Sequence, residues 1–274
     1  MFEQKWQNTK PPKGVLLNRG HPLAKDLVGC WLAQEGSGNK AIDISGNNYH
    51  ATFAGTCGWR LTPMGTAFDS QGSYNHPGAT PFNGSEYNTL SIEAWFITDA
   101  VDATRYIVDN SPGSVGYMFR INGDDLQFYT FEGATAKGAL KANCLTAGVL
   151  YHAVGTHGAS NKLYLNGNLV GGPTACSPDI TDTTDKMAIG AEAAGGYGWD
   201  GALILIRVWN RELTQNDVTN LYTNPYGMFD KARLWGAGEA GPTNLKSVNG
   251  VALASIKSIN GVAIANVKSV NGIT

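Results

Sequence analysis

The stretch Thr89-Leu90-Ser91-Ile92-Glu93-Ala94-Trp95-Phe96-Ile97 decides the class of fold. Leu90, Ile92, Ala94 and Phe96 fall on one face, and Glu93 and Trp95 on the other. A period of two is what a strand produces, because successive side chains leave opposite sides of the backbone. The same reading extends outward. Residues 28–32 give the first good strand and residues 202–209 the last. Residues 116–121 and 126–130 flank Asn122-Gly123, and residues 162–165 and 168–170 flank Asn166-Gly167. Asn-Gly supplies the positive φ angles of a tight turn, so both pairs are predicted hairpins. Only residues 212–222 change period: Leu213, Val218, Leu221 and Tyr222 form a helical stripe, with Thr214 placed to cap it and Asp217 in the first turn.

Composition agrees with many short strands. The 274 residues include 35 glycines, seven Trp, eleven Tyr and nine Phe, and only 15% are charged. Glycine-rich turns between aromatic and β-branched runs mark antiparallel sheets. A formal charge of −2 gives no electrostatic pull toward nucleic acid or an anionic membrane. No apolar run approaches a membrane span, so no membrane insertion is expected. Residues 1–14 carry no apolar leader, which predicts synthesis in a cytoplasm without a signal peptide. Cys30, Cys57, Cys144 and Cys176 lack metal-ligand spacing and read as thiols rather than as disulfides or a zinc site.

Four regions are expected. Residues 1–20 form a basic arm (Lys5, Lys10, Lys13, Arg19) broken by Pro11, Pro12 and Gly14, either disordered or ordered by docking on something else. Residues 21–229 form a sandwich, and residues 230–243 a Gly-rich linker. Residues 244–274 hold three copies of an eleven-residue repeat built on Lys-Ser-Val-Asn-Gly or its isoleucine form. Each copy places Asn-Gly between β-prone runs, which predicts a small meander of hairpins. Its apolar positions are Leu245, Val248, Val251, Leu253, Ile256, Ile259, Val262, Ile264, Val267 and Val270. Both faces are largely apolar, so the meander is expected to be covered, by self-association, by its own sandwich or by another protein.

Residues 27–39 (LVGCWLAQEGSGN), 43–52 (DISGNNYHAT), 92–96 (IEAWF), 151–157 (YHAVGTH), 162–167 (KLYLNG) and 199–214 resemble, in order, the motifs of laminin G-like, concanavalin A-like jelly-roll domains. The resemblance implies an all-β, two-sheet antiparallel sandwich used for adhesion and often for glycan binding. It also implies a structural calcium held by Asp43, Ser45, Asn47 and an acidic residue four positions after Asp200. Ile204 stands there instead, so one carboxylate is missing and the expectation is no cofactor. The alternative for Asp43, Ser45 and Asn47 is a hydrogen-bonded turn. The repeat tail and residues 17–23 (LNRGHPL) resemble segments of bacteriophage virion proteins.

No catalytic constellation stands out. Glu93 has Trp95 and Ile97 where a second carboxylate would be needed, and Asp124 and Asp125 share a turn. Asp179, Asp182 and Asp185 form an acidic loop, read as solvated. Trp59, Tyr74, Tyr87, Tyr197 and Trp199 lie in Gly-rich segments, where a ring either stacks on a sugar or anchors a loop to the core. The leading expectation is a non-enzymatic protein on a bacteriophage surface, capsid decoration or tail fibre. Its partners would be other virion proteins or copies of itself, and host-surface glycans. A lectin-like module unconnected to a virion comes second, and a glycan hydrolase third.

Overall fold

The computed structural model describes residues 10–53, 57–71, 75–77, 88–111, 115–176, 180, 187–193 and 196–230, and within the repeats 247–248, 251–252, 258–259 and 262–263. The chain divides into two compact units, Met1–Phe229 and Asp230–Thr274.

In the first unit the strands are β1 (Leu16–Leu17), β2 (Leu27–Trp31), β3 (Lys40–Ala41), β4 (Ala51–Phe53), β5 (Gly58–Thr62), β6 (Gly65–Gln71), β7 (Asn75–Pro77), β8 (Leu90–Thr98) and β9 (Thr104–Asn110). They continue with β10 (Tyr117–Asn122), β11 (Asp125–Glu132), β12 (Thr135–Lys141), β13 (Leu150–His157), β14 (Ser160–Leu165), β15 (Asn168–Ala175), β16 (Ala188–Ile189), β17 (Asp200–Trp209) and β18 (Phe229–Asp230). One sheet runs β12-β11-β10-β9-β16-β7-β4-β3. The other runs β15-β14-β13-β8-β17-β6-β5, with β2 also pairing β17. All the pairings of both sheets are antiparallel.

The two sheets close on one core. Leu90, Ile92, Ala94 and Phe96 of β8 meet Ile107, Phe119, Ile121 and Phe128 of the opposite sheet. The alternation that defined β8 is therefore the division between inside and outside. Its other face is also buried. Trp95 and Ile97 lie with Ile204, Leu205 and Trp209 under Val15, Leu23, Val218, Leu221, Tyr226 and Met228. Those covering residues belong to the N-terminal segment, the helix α1 (Gln215–Thr223) and the turn after it. Thr214 caps α1 in a box with Asp217, which satisfies backbone donors that a helix start leaves open.

The described part of the expected arm, residues 10–20, packs on the sandwich itself. Val15 is buried, and β1 forms a two-stranded sheet with β18. The second hairpin turns on Asn166 (φ 49°) and Gly167 (φ 81°), as predicted. The first is shifted: Asn122 pairs with Asp125, so Gly123 and Asp124 form the turn rather than Asn122 and Gly123. Pairing across the whole β10–β11 register outweighs the local turn preference. The predicted thiols at Cys30, Cys144 and Cys176 are free.

In the second unit, Ser247–Val248 pairs with Val251–Ala252, and Ser258–Ile259 with Val262–Ala263. Among the described residues these are two antiparallel two-stranded pairs, one in each of the first two repeats; the rest of the expected meander, with the third repeat, lies outside the described residues. Leu245, Leu253, Ile256, Ile264, Val267 and Val270 lie outside the described residues.

Candidate functional site

The outer face of the β12-to-β3 sheet carries an aromatic cluster built around one arginine. Tyr106, Met118 and Phe131 form a separate apolar group there, with Tyr129 packed against it. A β-bulge in β9 is responsible. Phe119 pairs with Val108, but the next residue, Arg120, pairs with Tyr106, so Ile107 is extra. Ile107 and Val108 both enter the core, and Tyr106 is turned outward beside Arg120. Bulges of this kind re-aim a side chain at the expense of one ladder position.

Arg120 is the centre of a cross-strand row, paired with Tyr106 on one side and Gln127 on the other. Its Nε donates to Gln127 Oε1 at 2.9 Å and its Nη1 to the Tyr106 hydroxyl at 3.0 Å. The guanidinium carbon sits 5.5 Å from the Tyr106 ring centre and 5.8 Å from that of Tyr129, within cation–π range. A guanidinium has five N–H donors, so among the described residues donors remain for a ligand. Burial pushes the Tyr106 hydroxyl above its ordinary range, while Arg120 pulls it back. Tyr106 therefore stays a neutral hydroxyl near neutral pH.

The next row is Asp109, Met118, Tyr129 and Gly138. Tyr129 lies flat across Gly138, where a Cβ would fall 2.2 Å from the ring. Only glycine leaves room for that pose. Asp109 is buried at the end of the row, accepting from the Ser111 hydroxyl and, at 2.7 Å, from the Ala193 N–H. Burial, opposed by those hydrogen bonds, raises its carboxyl to about 6. Asp109 thereby ties β9 to Ala193, next to Glu192, whose N–H donates to the Gly196 carbonyl at 3.0 Å. Tyr197 follows immediately. It has φ 45° and 59% exposure, and its ring centre is 6.0 Å from that of Tyr106.

Of the five aromatic candidates, Tyr197 alone joins this cluster among the described residues. Trp199 is fully buried, edge-on to Phe96 at 5.2 Å, which corrects its reading as a ring open to a ligand. Strand β17 starts at Asp200 and draws the preceding residue into the core. Trp59 lies on β5 rather than in a loop, half-buried, 5.3 Å from Phe68 and donating to the Gly38 carbonyl. Tyr74, Tyr87, Asp179, Asp182 and Asp185 lie outside the described residues. Sequence reasoning missed Tyr106, Arg120, Gln127 and Tyr129. The available signal was Arg120, Gln127 and Tyr129 at the outward positions of a hairpin already recognised; Tyr106, on the neighbouring β9, had none.

Asp43, Ser45 and Asn47 form a closed turn. The Asp43 carboxylate accepts from the Cys30, Ser45 and Tyr49 backbone N–H groups and from the Ser45 hydroxyl, at 2.8–3.0 Å. Asn47 Nδ2 donates to the Val28 carbonyl at 2.8 Å. Ile204 is buried in the apolar layer. A calcium ion needs several free oxygen ligands, and these residues do not fit one.

Glu93 is also engaged. Both it and Arg207 are wholly buried as an ion pair, and His152 Nε2 lies 3.1 Å from Glu93 Oε1. His157 is buried against Asn161. None of these can meet a substrate from solvent.

A family model described as the concanavalin A-like lectin/glucanases superfamily matches residues 68–219. No curated protein sequence matches. Among solved structures, the binding domain of botulinum neurotoxin serotype C1 superposes with a TM-score of 0.56 at 13% identity, over 73% of this chain and 52% of that one. The binding domain of Paraclostridial Mosquitocidal Protein 1 gives 0.55 at 14% identity, over 73% and 52%. Domain 4 of AbnA, an extracellular GH43 arabinanase from Geobacillus stearothermophilus, in complex with arabinotriose, gives 0.56 at 15% identity, over 72% and 98%. The chain thus spans about half the length of the toxin domains and nearly all of the arabinanase domain.

Proposed function

We propose, from the premise that the chain belongs to the concanavalin A-like lectin/glucanase superfamily, that it binds carbohydrate without cleaving it, through the face formed by Tyr106, Arg120, Gln127, Tyr129 and Tyr197. The observation that carries this is the Arg120 row. It places the half-buried Tyr129 ring beside a guanidinium with donors to spare, held from beneath by the buried Tyr106 and Gln127 and flanked by the exposed Tyr197. Sugar rings present apolar C–H faces and rims of hydroxyls, so flat aromatic area flanked by fixed donors and acceptors suits them. The arabinanase domain, which shares the fold at almost full length, was captured with arabinotriose. Glu93, His152 and His157 are buried, so none of the three offers a hydrolytic group to a substrate.

The larger setting we infer is a bacteriophage particle, as capsid decoration or tail fibre, with the sandwich displayed and the repeats attaching it to virion proteins or to other copies. The supporting features are the repeat tail and the residue 17–23 segment. A glycan array probed with the full chain tests the binding: signal that Arg120→Ala and Tyr197→Ala both diminish is expected, and signal that neither changes sinks the site. Deleting residues 244–274 tests the setting. Loss of particle incorporation with glycan binding retained is expected; unchanged incorporation favours the lectin-like module unconnected to a virion.

A further inference from the structure

The edge of β17 changes partner midway. Up to Leu203 it pairs with β6, and from Ile206 onward with β2. On its opposite edge Leu203 pairs with Phe96 and Leu205 with Trp95, so Ile204 is the extra residue of a bulge. The Ile204 carbonyl therefore faces a fork between two departing strands. The Thr66 carbonyl from the start of β6 and the Ala33 carbonyl just beyond β2 face the same point.

Lys10 reaches that point. Its Nζ donates to Ile204 O at 2.8 Å, to Ala33 O at 3.3 Å and to Thr66 O. Its stem passes over Gly65, where a Cβ would stand 3.3 Å from Lys10 Cβ, and Lys10 is only 9% exposed. Three acceptors match the three N–H groups of an ammonium, whereas a neutral amine has two. Burial lowers the Lys10 pKa to about 7, and Glu35 opposes that shift. The convergent carbonyls are the remaining compensation for taking a charge out of water.

We propose that the fork of β17, β6 and β2 is a small-cation site made of backbone carbonyls, which the chain fills with its own Lys10 ammonium. The ligand class follows from the donors. Three neutral carbonyls, with no carboxylate in contact among the described residues, suit a weakly hydrated monovalent ion of ammonium size; a divalent ion demands carboxylates and more oxygens. Lys10 is then the residue that pins the N-terminal segment to the sheet.

Chemical rescue tests this on the full chain. Lys10→Ala opens the site and should lower the melting temperature, and ammonium chloride should restore it in a saturable way that choline chloride does not. Lys10→Met fills the same space without charge; it should be destabilised and unresponsive to ammonium. In the wild type, amine acylation should spare Lys10 while exposed Lys13 and Lys25 react. The proposal is overturned if Lys10→Ala melts like the wild type, if ammonium and choline act alike on it, or if Lys10 reacts as fast as Lys13. Should Lys10→Ala fold poorly, recovery of folded protein in ammonium but not choline supports the site, and equal recovery or equal failure in both contradicts it.

Discussion

The Nε of Arg207 lies 2.7 Å from Glu93 Oε2, and neither side chain has any exposure to solvent. Arg207 also donates to Glu93 Oε1 at 3.0 Å and to the Pro225 carbonyl at 2.8 Å, so the pair ties β8 and β17 to the turn after α1. Glu93→Ala would leave a buried guanidinium without its counter-charge, a change that typically destabilises by about 3–5 kcal/mol. Urea unfolding should show that loss. The variant should still bind glycan where it is folded, because the pair lies behind the other sheet's outer face. Unchanged stability would mean that the pair is not closed.

Asp109 gives a pH dependence of definite sign. Its folded value is about 6 against 3.8 for the free group, so the folded chain binds more protons between those values. The free energy of unfolding should therefore fall as pH rises from about 4 to about 6, by up to roughly 3 kcal/mol, with the loss fully present above 6. Asp109→Asn keeps an acceptor for Ala193 and should flatten that slope. Parallel curves for the variant and the wild type would refute the assignment.

Tyr197 and Trp199 should part company although they are two residues apart. Trp199→Ala opens a cavity in the core and should reduce stability by about 3–5 kcal/mol. Tyr197→Ala removes an exposed ring and should change stability by less than about 0.5 kcal/mol while weakening glycan binding. Thermal melts and binding curves on the two variants read both effects.

Gly138→Ala puts a methyl 2.2 Å from the Tyr129 ring on an outer face. The ring must lift, so glycan affinity should fall while melting changes little. A variant that binds normally would show that the Tyr129 pose is dispensable.

How far these features could be read in advance depends on how local their causes are. The alternation of residues 89–97, the Asn166-Gly167 turn and the Thr214–Asp217 cap are set by neighbours in the chain, and each appears where the sequence put it. The Arg120 row is not local. Beyond the hairpin of β10 and β11 it needs the pairing of β9 and the bulge at Ile107, and neither of those leaves a mark in any short window. For Trp199 the glycine-rich surroundings leave a sugar-stacking and a core-anchoring ring both open; Phe96, distant in sequence, fixes it as the second. In the sequence Lys10 is one of several arm cations. Its role depends on a fork between strands that lie about 20 to 190 residues away.

The most direct measurement is a titration of the full chain with an array-selected oligosaccharide, followed by NMR of the arginine Nε–H and tyrosine ring signals. The account predicts saturable shifts at Arg120, Tyr106, Tyr129 and Tyr197, lost together in Arg120→Ala. Saturable binding that leaves all four signals unmoved would contradict it.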